Sequence, residues 1–311
     1  MNYYFSEITF PSADGIHTIH AECYIPKSEA VRGIVQIVHG MRDYIGRYQV
    51  LAEYLTGKGY IVAGHCHLGH GRSVQDEADF GYFAERDGVL LLLKDIHSMN
   101  KLLRTMYPNL PLWLFGHSMG SFLARLYANR HPHSIQGLII HGSAGKNPVL
   151  PLGKLVVAIG KLFHGGRYRS RFVASLAFAG YNSRFTKAEG EHAWLTRDIA
   201  RVSSRDDDPY TTFTFTLSAY GDLFSMLGQS NSSAWFKNYP KELLTLIISG
   251  ESDPVGAYGK GPEYIYKHLL LSGSSAVTLK LYPDCRHELF NELNREEIFD
   301  YINDWITTNT K

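Results

Sequence analysis

Apolar positions along the chain form short, nearly continuous runs that alternate with segments of helical spacing. Residues 33–38, Gly-Ile-Val-Gln-Ile-Val, are one such run, which is typical of a strand buried on both faces. Similar runs occur at 60–63, 112–115, 135–140, 243–248 and 277–282. Helical spacing of apolar residues is found at 48–58, 88–106, 121–130, 264–271 and 296–306. Two further β-rich segments, 1–10 and 16–24, precede the first run and flank a turn at Asp14-Gly15.

Strand and helix alternate in an order that predicts the architecture. A strand–helix–strand rhythm implies a mostly parallel central sheet with helices on both faces, the α/β class. The rhythm breaks between residues 147 and 237 and then resumes. We therefore predict an α/β core formed by residues 1–146 and 238–311, interrupted by a helix-rich insertion at 147–237.

The start of this predicted insertion is unusually apolar. Residues 148–163 contain valine, leucine, isoleucine and phenylalanine at most positions, and only Lys154 and Lys161 mark a polar side. No stretch reaches the roughly 18 apolar residues expected of a membrane span. Two alternatives remain open for this helix: it is wholly buried, or its apolar stripe makes transient contact with a lipid surface.

Charge and cysteine content exclude several classes of protein. Lysine and arginine number 31 and aspartate and glutamate 30, so the net charge of +1 gives no electrostatic footprint for nucleic acid. The three cysteines are too few and too scattered for a disulfide framework. The first residues, Met-Asn-Tyr-Tyr-Phe-Ser-Glu, lack the basic and apolar regions of a secretory signal. We therefore expect a cytoplasmic location.

The strongest chemical signal is Gly116-His117-Ser118-Met119-Gly120, between a predicted strand and a predicted helix. A sharp turn at this point lifts the Ser118 hydroxyl above the sheet, and glycines on either side let strand and helix approach closely. The N-terminus of the following helix directs backbone N–H groups toward developing negative charge. This context predicts a nucleophile elbow with Ser118 as the nucleophile.

A serine nucleophile needs a base, and the base needs an orienting carboxylate. Asp253 follows the predicted strand 243–248, and His287 follows the predicted strand 277–282. Carboxyl ends of parallel strands meet at one edge of a sheet, so both side chains are expected near Ser118. The chain order serine, aspartate, histidine also matches this type of site. We therefore predict the catalytic triad Ser118, Asp253 and His287.

Two backbone amides are predicted to hold the oxyanion. One belongs to Met119, the residue after the nucleophile, and the other to Met41 in the loop after the third strand. Gly40 permits the tight turn of that loop, and His39 is expected to shape it. A second histidine group, His65-Cys66-His67 with His70, lacks accompanying ligands at zinc-site spacing, so we expect a hydrogen-bonded loop rather than a metal site.

These stretches resemble the α/β-hydrolases of the monoacylglycerol lipase and lysophospholipase type. The resemblance covers nearly the whole chain and lies mainly in His39-Gly40-Met41, Gly46-Arg47-Tyr48, residues 69–73, residues 116–120, Asp253-Pro254-Val255 and residues 286–291. It implies an α/β-hydrolase fold, the same triad, and a cap at 147–237 over an acyl-binding pocket.

The chain departs from the family pattern at two places. Arg42-Asp43-Tyr44 stands where the family often has Gly-Glu-His, and Cys66 stands between two histidines where aspartate is common. Neither departure affects the predicted triad. Both concern loops near the pocket and therefore the polar end of the substrate.

Together these features predict a serine carboxylic-ester hydrolase that works through an acyl-enzyme intermediate. The expected substrates are monoacylglycerols, lysophospholipids or similar acyl esters, and neither a cofactor nor a metal is expected. A peptidase or thioesterase would use the same triad. A non-catalytic protein that binds acyl ligands is a third alternative, although it would not need all three triad residues. The oligomeric state is left open.

Overall fold

An eight-stranded sheet forms the centre of the molecule. The computed structural model describes residues 2–28, 30–186 and 189–310. Within these ranges the strands are β1 (Tyr3–Pro11), β2 (Thr18–Pro26), β3 (Gly33–Val38), β4 (Tyr60–His65), β5 (Leu112–His117), β6 (Gly137–His141), β7 (Leu244–Gly250) and β8 (Val277–Tyr282). Their order is β1-β2-β4-β3-β5-β6-β7-β8. Among the strand pairs of the described residues, β1–β2 and β2–β4 are antiparallel and the other five are parallel, which confirms the predicted mostly parallel sheet.

Helices account for most of the remaining chain. In the described ranges they are α1 (Gln49–Gly57), α2 (Gly88–Met106), α3 (Met119–Arg130), α4 (Leu150–His164), α5 (Arg171–Ala177), α6 (Ile199–Asp206), α7 (Leu217–Ser230), α8 (Ser233–Asn238), α9 (Lys260–Leu271) and α10 (Arg295–Asn309). Helices α1, α2, α3, α9 and α10 alternate with strands, as the sequence predicts. Helices α4–α8 lie between β6 and β7 in the chain.

The sheet is covered on both faces because its strands are apolar on both faces. Side chains of a strand alternate between the two faces, so Ile34 and Val38 of β3 point to one core, while Val35 and Ile37 point to the other. The first core also contains residues of α2, α3 and α9. The second contains residues of α1 and α10. This double covering accounts for the continuous apolar runs in the sequence.

Most element bounds agree with the predictions, and α9 shows why one does not. The strands β3 and β8 and the helix α2 have the predicted limits. Helix α9 begins at Lys260, four residues before the predicted start at 264. Gly259 precedes it with φ +87°, and Pro262 lies in its first turn. The glycine-rich stretch before the helix conceals its start because glycines carry no apolar periodicity.

The chain segment between β6 and β7 forms a layer of helices on the core. These two strands are neighbours in the sheet, so the intervening helices are an insertion into the strand order. Helix α7 packs against α4 and also against the core helices α2 and α3. The boundaries of the cap at 147 and 237 stay a prediction, which this arrangement motivates.

Helix α4 is largely exposed, so the wholly buried alternative for this segment is wrong. Val157 is its one buried residue. Leu155 is 55% exposed, Leu162 81% and Phe163 75%. Helix α5 adds Phe172 to the same apolar surface, at 67% exposed. Among residues 2–28, 30–186 and 189–310, no helix combines the length and the apolar content required to cross a bilayer.

Candidate active site

Ser118 occupies a strained turn between β5 and α3. Its φ and ψ angles are 53° and −121°, a backbone conformation that residues other than glycine adopt rarely. The surrounding backbone holds this turn, since the Ser118 N–H donates to the His141 carbonyl at 3.0 Å and the Ser121 N–H donates to the Ser118 carbonyl at 2.9 Å. Strain of this kind is retained where a side chain must be presented in a particular direction.

The two glycines of the elbow are required by close packing. A Cβ atom on Gly120 would lie 2.0 Å from the carbonyl oxygen of Val38 in β3. A Cβ atom on Gly116 would lie 2.6 Å from the Cβ of Ala124 in α3. Both distances are far below van der Waals contact, so β3, β5 and α3 can meet at this point only around glycine.

Asp253 and His287 form a buried pair. The His287 Nδ1 lies 2.9 Å from the Asp253 Oδ2, and the two side chains are 2% and 0% exposed. The other carboxylate oxygen of Asp253 accepts the Val255 N–H at 2.8 Å. This arrangement fixes the carboxylate and directs one of its oxygens at the imidazole. The His287 Nδ1 therefore donates to Asp253, which leaves Nε2 as the basic nitrogen.

The backbone places His287 next to the elbow. Gly142 follows His141, whose carbonyl accepts the Ser118 N–H. A Cβ atom on Gly142 would lie 3.1 Å from the His287 ring. The ring of His117 lies 4.7 Å from the ring of His287, centroid to centroid. Within the described residues, no hydrogen bond joins Ser118 Oγ to His287. Such bonds often tighten only when substrate is bound.

The loop after β3 lies directly against Ser118. A Cβ atom on Gly40 would lie 3.1 Å from the Cβ of Ser118. Met41 and Met119 line the same cavity as Ser118. The backbone N–H groups of these two methionines have no acceptor among the described residues, and the first N–H groups of a helix generally lack one. Their assignment as oxyanion donors remains a proposal that this placement supports.

A buried ion-pair network beside the site was not predicted from the sequence. Both Nη atoms of Arg47 donate to Glu288, at 2.9 and 2.8 Å, and Nη1 also donates to Asp43 at 3.0 Å. Asp43 accepts the Gly40 N–H at 3.2 Å. Burial opposes ionisation of Glu288, but the Arg47 guanidinium outweighs it and lowers the pKa of Glu288. This network connects the loop of Gly40 to Glu288, the residue after His287.

Little in the sequence could have revealed this ion-pair network. Arg47 and Glu288 lie far apart along the sequence, and no periodicity connects them. The sequence singled them out only because each lies in a stretch that resembles the family, Arg47 in 46–48 and Glu288 in 286–291. Asp43 also lies in the stretch that departs from the family pattern.

The second histidine group is a buried network of the loop. The His39 Nε2 accepts the His67 N–H at 2.9 Å, so its Nδ1 donates to the Gly40 carbonyl at 2.8 Å. Burial lowers the pKa of His65 to about 3 and that of His70 to about 4, so both are neutral at pH 7. Across the described ranges, no three His, Cys, Asp or Glu side chains are arranged to hold a metal ion.

One cavity joins these elements. Its volume is about 630 Å³, and it is bounded by Ser118, His287, the Gly40 loop and the helices inserted between β6 and β7. Apolar side chains make up one part of its wall: Phe122, Leu150, Leu152, Leu223, Phe224 and Leu227. A cavity with an apolar wall that also contains a serine on a strained turn is suited to an acyl chain.

A nucleophile turn at the end of a central strand, with an Asp–His pair on the loops after two later strands, defines an α/β-hydrolase. Comparison with known proteins agrees with this class. The family model described as "Serine aminopeptidase, S33" matches residues 29–294. Rat monoglyceride lipase is 32% identical, over 96% of this chain and 91% of its own length. Human monoglyceride lipase is 26% identical, over 97% and 93%.

The similarity extends to solved structures. A thermostable carboxyl esterase from Bacillus coagulans, solved with glycerol, has a TM-score of 0.92 and 28% identity, over 99% of both chains. The chain therefore belongs to this family of serine hydrolases, as an α/β-hydrolase of the monoacylglycerol lipase type.

Proposed function

We propose that the protein hydrolyses monoacylglycerols and related acyl esters, with Ser118, Asp253 and His287 as its catalytic triad. One observation carries the proposal: the strained Ser118 turn and the buried Asp253–His287 pair open into the same apolar-walled cavity. The names of its relatives support the choice of substrate, since the rat and human proteins are both monoglyceride lipases.

The reaction follows from the positions of these groups. Ser118 Oγ attacks the ester carbonyl while His287 Nε2 takes its proton, and Asp253 stabilises the imidazolium that forms. The amides of Met41 and Met119 hold the negative oxygen of the tetrahedral intermediate. His287 then protonates the leaving alcohol, and water releases the acyl group by the reverse sequence. No step requires a metal or a cofactor.

The charges in the cavity disfavour the aminopeptidase reaction. An aminopeptidase must bind the ammonium group of its substrate, which calls for an uncommitted carboxylate. Among the described residues that line the cavity, the carboxylates belong to Asp43 and Glu288, and both are bonded to Arg47. An ester with a neutral glycerol group needs no carboxylate for its binding.

A panel of matched substrates tests this proposal. Monoacylglycerols of graded acyl length, an acyl thioester and an aminoacyl amide would each be measured for kcat/KM. We expect the medium and long monoacylglycerols to be hydrolysed best, because each buried CH₂ adds about 0.8 kcal/mol of favourable transfer free energy. A higher kcat/KM for the amide or the thioester would contradict the proposal.

The exposed apolar face of α4 and α5 supports contact with a lipid surface. Leu155, Leu162 and Phe163 project from α4, and Lys154 and Lys161 flank them. An apolar stripe bordered by basic residues is typical of helices that lie in the headgroup region of a bilayer. In this position the helix would lie beside the cavity and deliver an insoluble substrate to it.

The double variant Leu155→Ser/Leu162→Ser tests this contact. Neither residue lines the cavity, and both lie on one side of α4. Transfer of one leucine side chain from water into lipid contributes about 1.5–3 kcal/mol to the free energy of docking. Because the double variant loses this contribution, its activity on aggregated monoacylglycerol should fall at least about tenfold. Hydrolysis of a short soluble ester should stay within about twofold of the wild type, because docking does not affect it.

Leu271→Ser is the matched control. Leu271 is 73% exposed, ends α9 and is not part of the cavity lining. This variant should leave both activities intact. Equal losses on both substrates in the double variant, or no loss on either, would show that α4 does not dock on lipid.

The proposed cytoplasmic location rests on cysteine chemistry. Cys23, Cys66 and Cys285 are all unpaired and buried. Unpaired thiols are usual in reducing compartments. The location stays a prediction.

A further inference from the structure

The polar end of the cavity carries an arginine in an unusual backbone conformation. Arg42 directly follows Met41, the proposed oxyanion donor, and has φ +53°. This left-handed region favours glycine, and a long side chain is uncommon there. Its side chain lines the cavity. The conformation directs a charged group to a point one residue from the oxyanion site.

The Arg42 guanidinium has no carboxylate partner among the described residues. Its Nε donates to the Thr211 carbonyl at 2.8 Å, and its two Nη atoms have no acceptor in the ranges described. Two carboxylates act on Arg42 through space without forming an ion pair with it: Glu191, and Asp206, whose Oδ1 lies 3.2 Å from Arg205 Nη1 and 2.6 Å from His192 Nδ1. The Phe178 ring centroid lies 6.0 Å from the guanidinium carbon. Since these contacts leave the Nη atoms without an acceptor, they are suited to receive an anion.

A second guanidinium converges on the same acceptor. Arg205 Nη2 donates to the Thr211 carbonyl at 3.4 Å, and Arg205 also lines the cavity. Burial, and then the charge of Arg205, lower the pKa of Arg42 to about 10, so it stays protonated at neutral pH. Two cations that share one neutral carbonyl strengthen the attraction for an anionic group between them and the cavity.

The remaining charges of the cavity wall act in the same direction. The described lining contains the cations Arg42, Lys146, Arg205 and Lys260 and the acids Asp43 and Glu288. Both acids are already bonded to Arg47, which itself lies outside the lining. The cavity therefore presents positive charge to its contents, although the whole chain is nearly neutral at +1.

We propose that Arg42, backed by Arg205, forms a subsite for an anionic head group, so that among the expected acyl esters the enzyme selects those whose alcohol portion carries a phosphate. This inference rests on the proposed ester hydrolase function and specifies its substrate. The Cα atoms of Met41 and Arg42 are about 3.8 Å apart, so a head group attached to an ester held at the Met41 amide starts close to Arg42. A phosphate on the third carbon of a glycerol unit is the group that we assign to this side chain.

Paired substrates test the subsite. Monoacylglycerol and the acylglycerol phosphate with the same short acyl chain would be compared below the concentration at which either aggregates, which removes any effect of lipid docking. In Arg42→Gly, kcat/KM for the phosphate ester should fall at least about tenfold more than for the neutral ester, mostly through KM. Arg42→Lys, which keeps the charge, should lose less.

The glycine variant is chosen because it relieves the positive φ and so favours folding. Arg171→Gln is the matched control, since Arg171 is exposed at the start of α5 and lies outside this cavity. It should leave the ratio between the two substrates unchanged. If Arg42→Gly lowers kcat/KM for both substrates by the same factor, or for neither, the subsite is refuted.

A binding measurement separates this inference from the proposed function. Ser118→Ala protein would be titrated with glycerol 3-phosphate, glycerol and inorganic phosphate, and the titrations repeated with Arg42→Gly added. We expect glycerol 3-phosphate to bind best and to lose at least about tenfold in affinity with the second substitution. If this binding result is obtained but the wild-type protein hydrolyses no ester, the subsite is supported and only the proposed hydrolase activity is refuted. Equal binding of inorganic phosphate would overturn the assignment to a head group.

Discussion

Replacement of Asp253 by asparagine should lower kcat by about four orders of magnitude, as the loss of the orienting carboxylate does in comparable triads. The Val255 N–H donates to one carboxylate oxygen of Asp253, and the other faces His287 Nδ1. An asparagine would keep its carbonyl oxygen on Val255 and turn its NH₂ group toward the imidazole. His287 would then hold its proton on Nε2 and could not accept one from Ser118.

The measurement is kcat on a short soluble ester, with Asp304→Asn as control. Asp304 is exposed on α10, far from the cavity lining, and its variant should retain full activity. If Asp253→Asn keeps more than about a tenth of the wild-type kcat with unchanged thermal unfolding, another group orients the histidine.

Ser118→Ala should remove turnover, with a loss of about four orders of magnitude or more in kcat. Alanine fits the turn at least as well as serine, because the strained φ of 53° is set by the backbone bonds to His141 and Ser121. The unfolding temperature should therefore stay close to that of the wild type. Ser203→Ala, at an exposed position of α6, is the matched control. A few per cent of residual activity in purified Ser118→Ala would exclude Ser118 as the nucleophile.

The sheet was predictable because its strands are buried on both faces. All six residues of β3 are buried, so its sequence is almost continuously apolar, with Gln36 as the polar exception. The segment 147–237 was harder, because α5, α6 and α8 have only 6 to 8 residues and the exposure of α4 breaks the rule that apolar residues lie inside. Periodicity predicted a helix there, but not which side faces water.

The same contrast holds for the site. Ser118, Asp253 and His287 each follow a strand, so their position at one edge could be predicted from chain order alone. The contacts of Arg47 with Glu288, and of Arg42 with Thr211, join distant parts of the chain. Such contacts depend on the packing of the inserted helices on the core, which no local pattern encodes.

Labelling with a fluorophosphonate probe tests the central claim most directly, because the probe reacts with a serine only when a base activates it. The intact protein would be treated with the probe, digested and examined by mass spectrometry. The account predicts one adduct, on Ser118, absent in Ser118→Ala and formed far more slowly in Asp253→Asn. An adduct on another residue, or labelling that persists in Ser118→Ala, would contradict it.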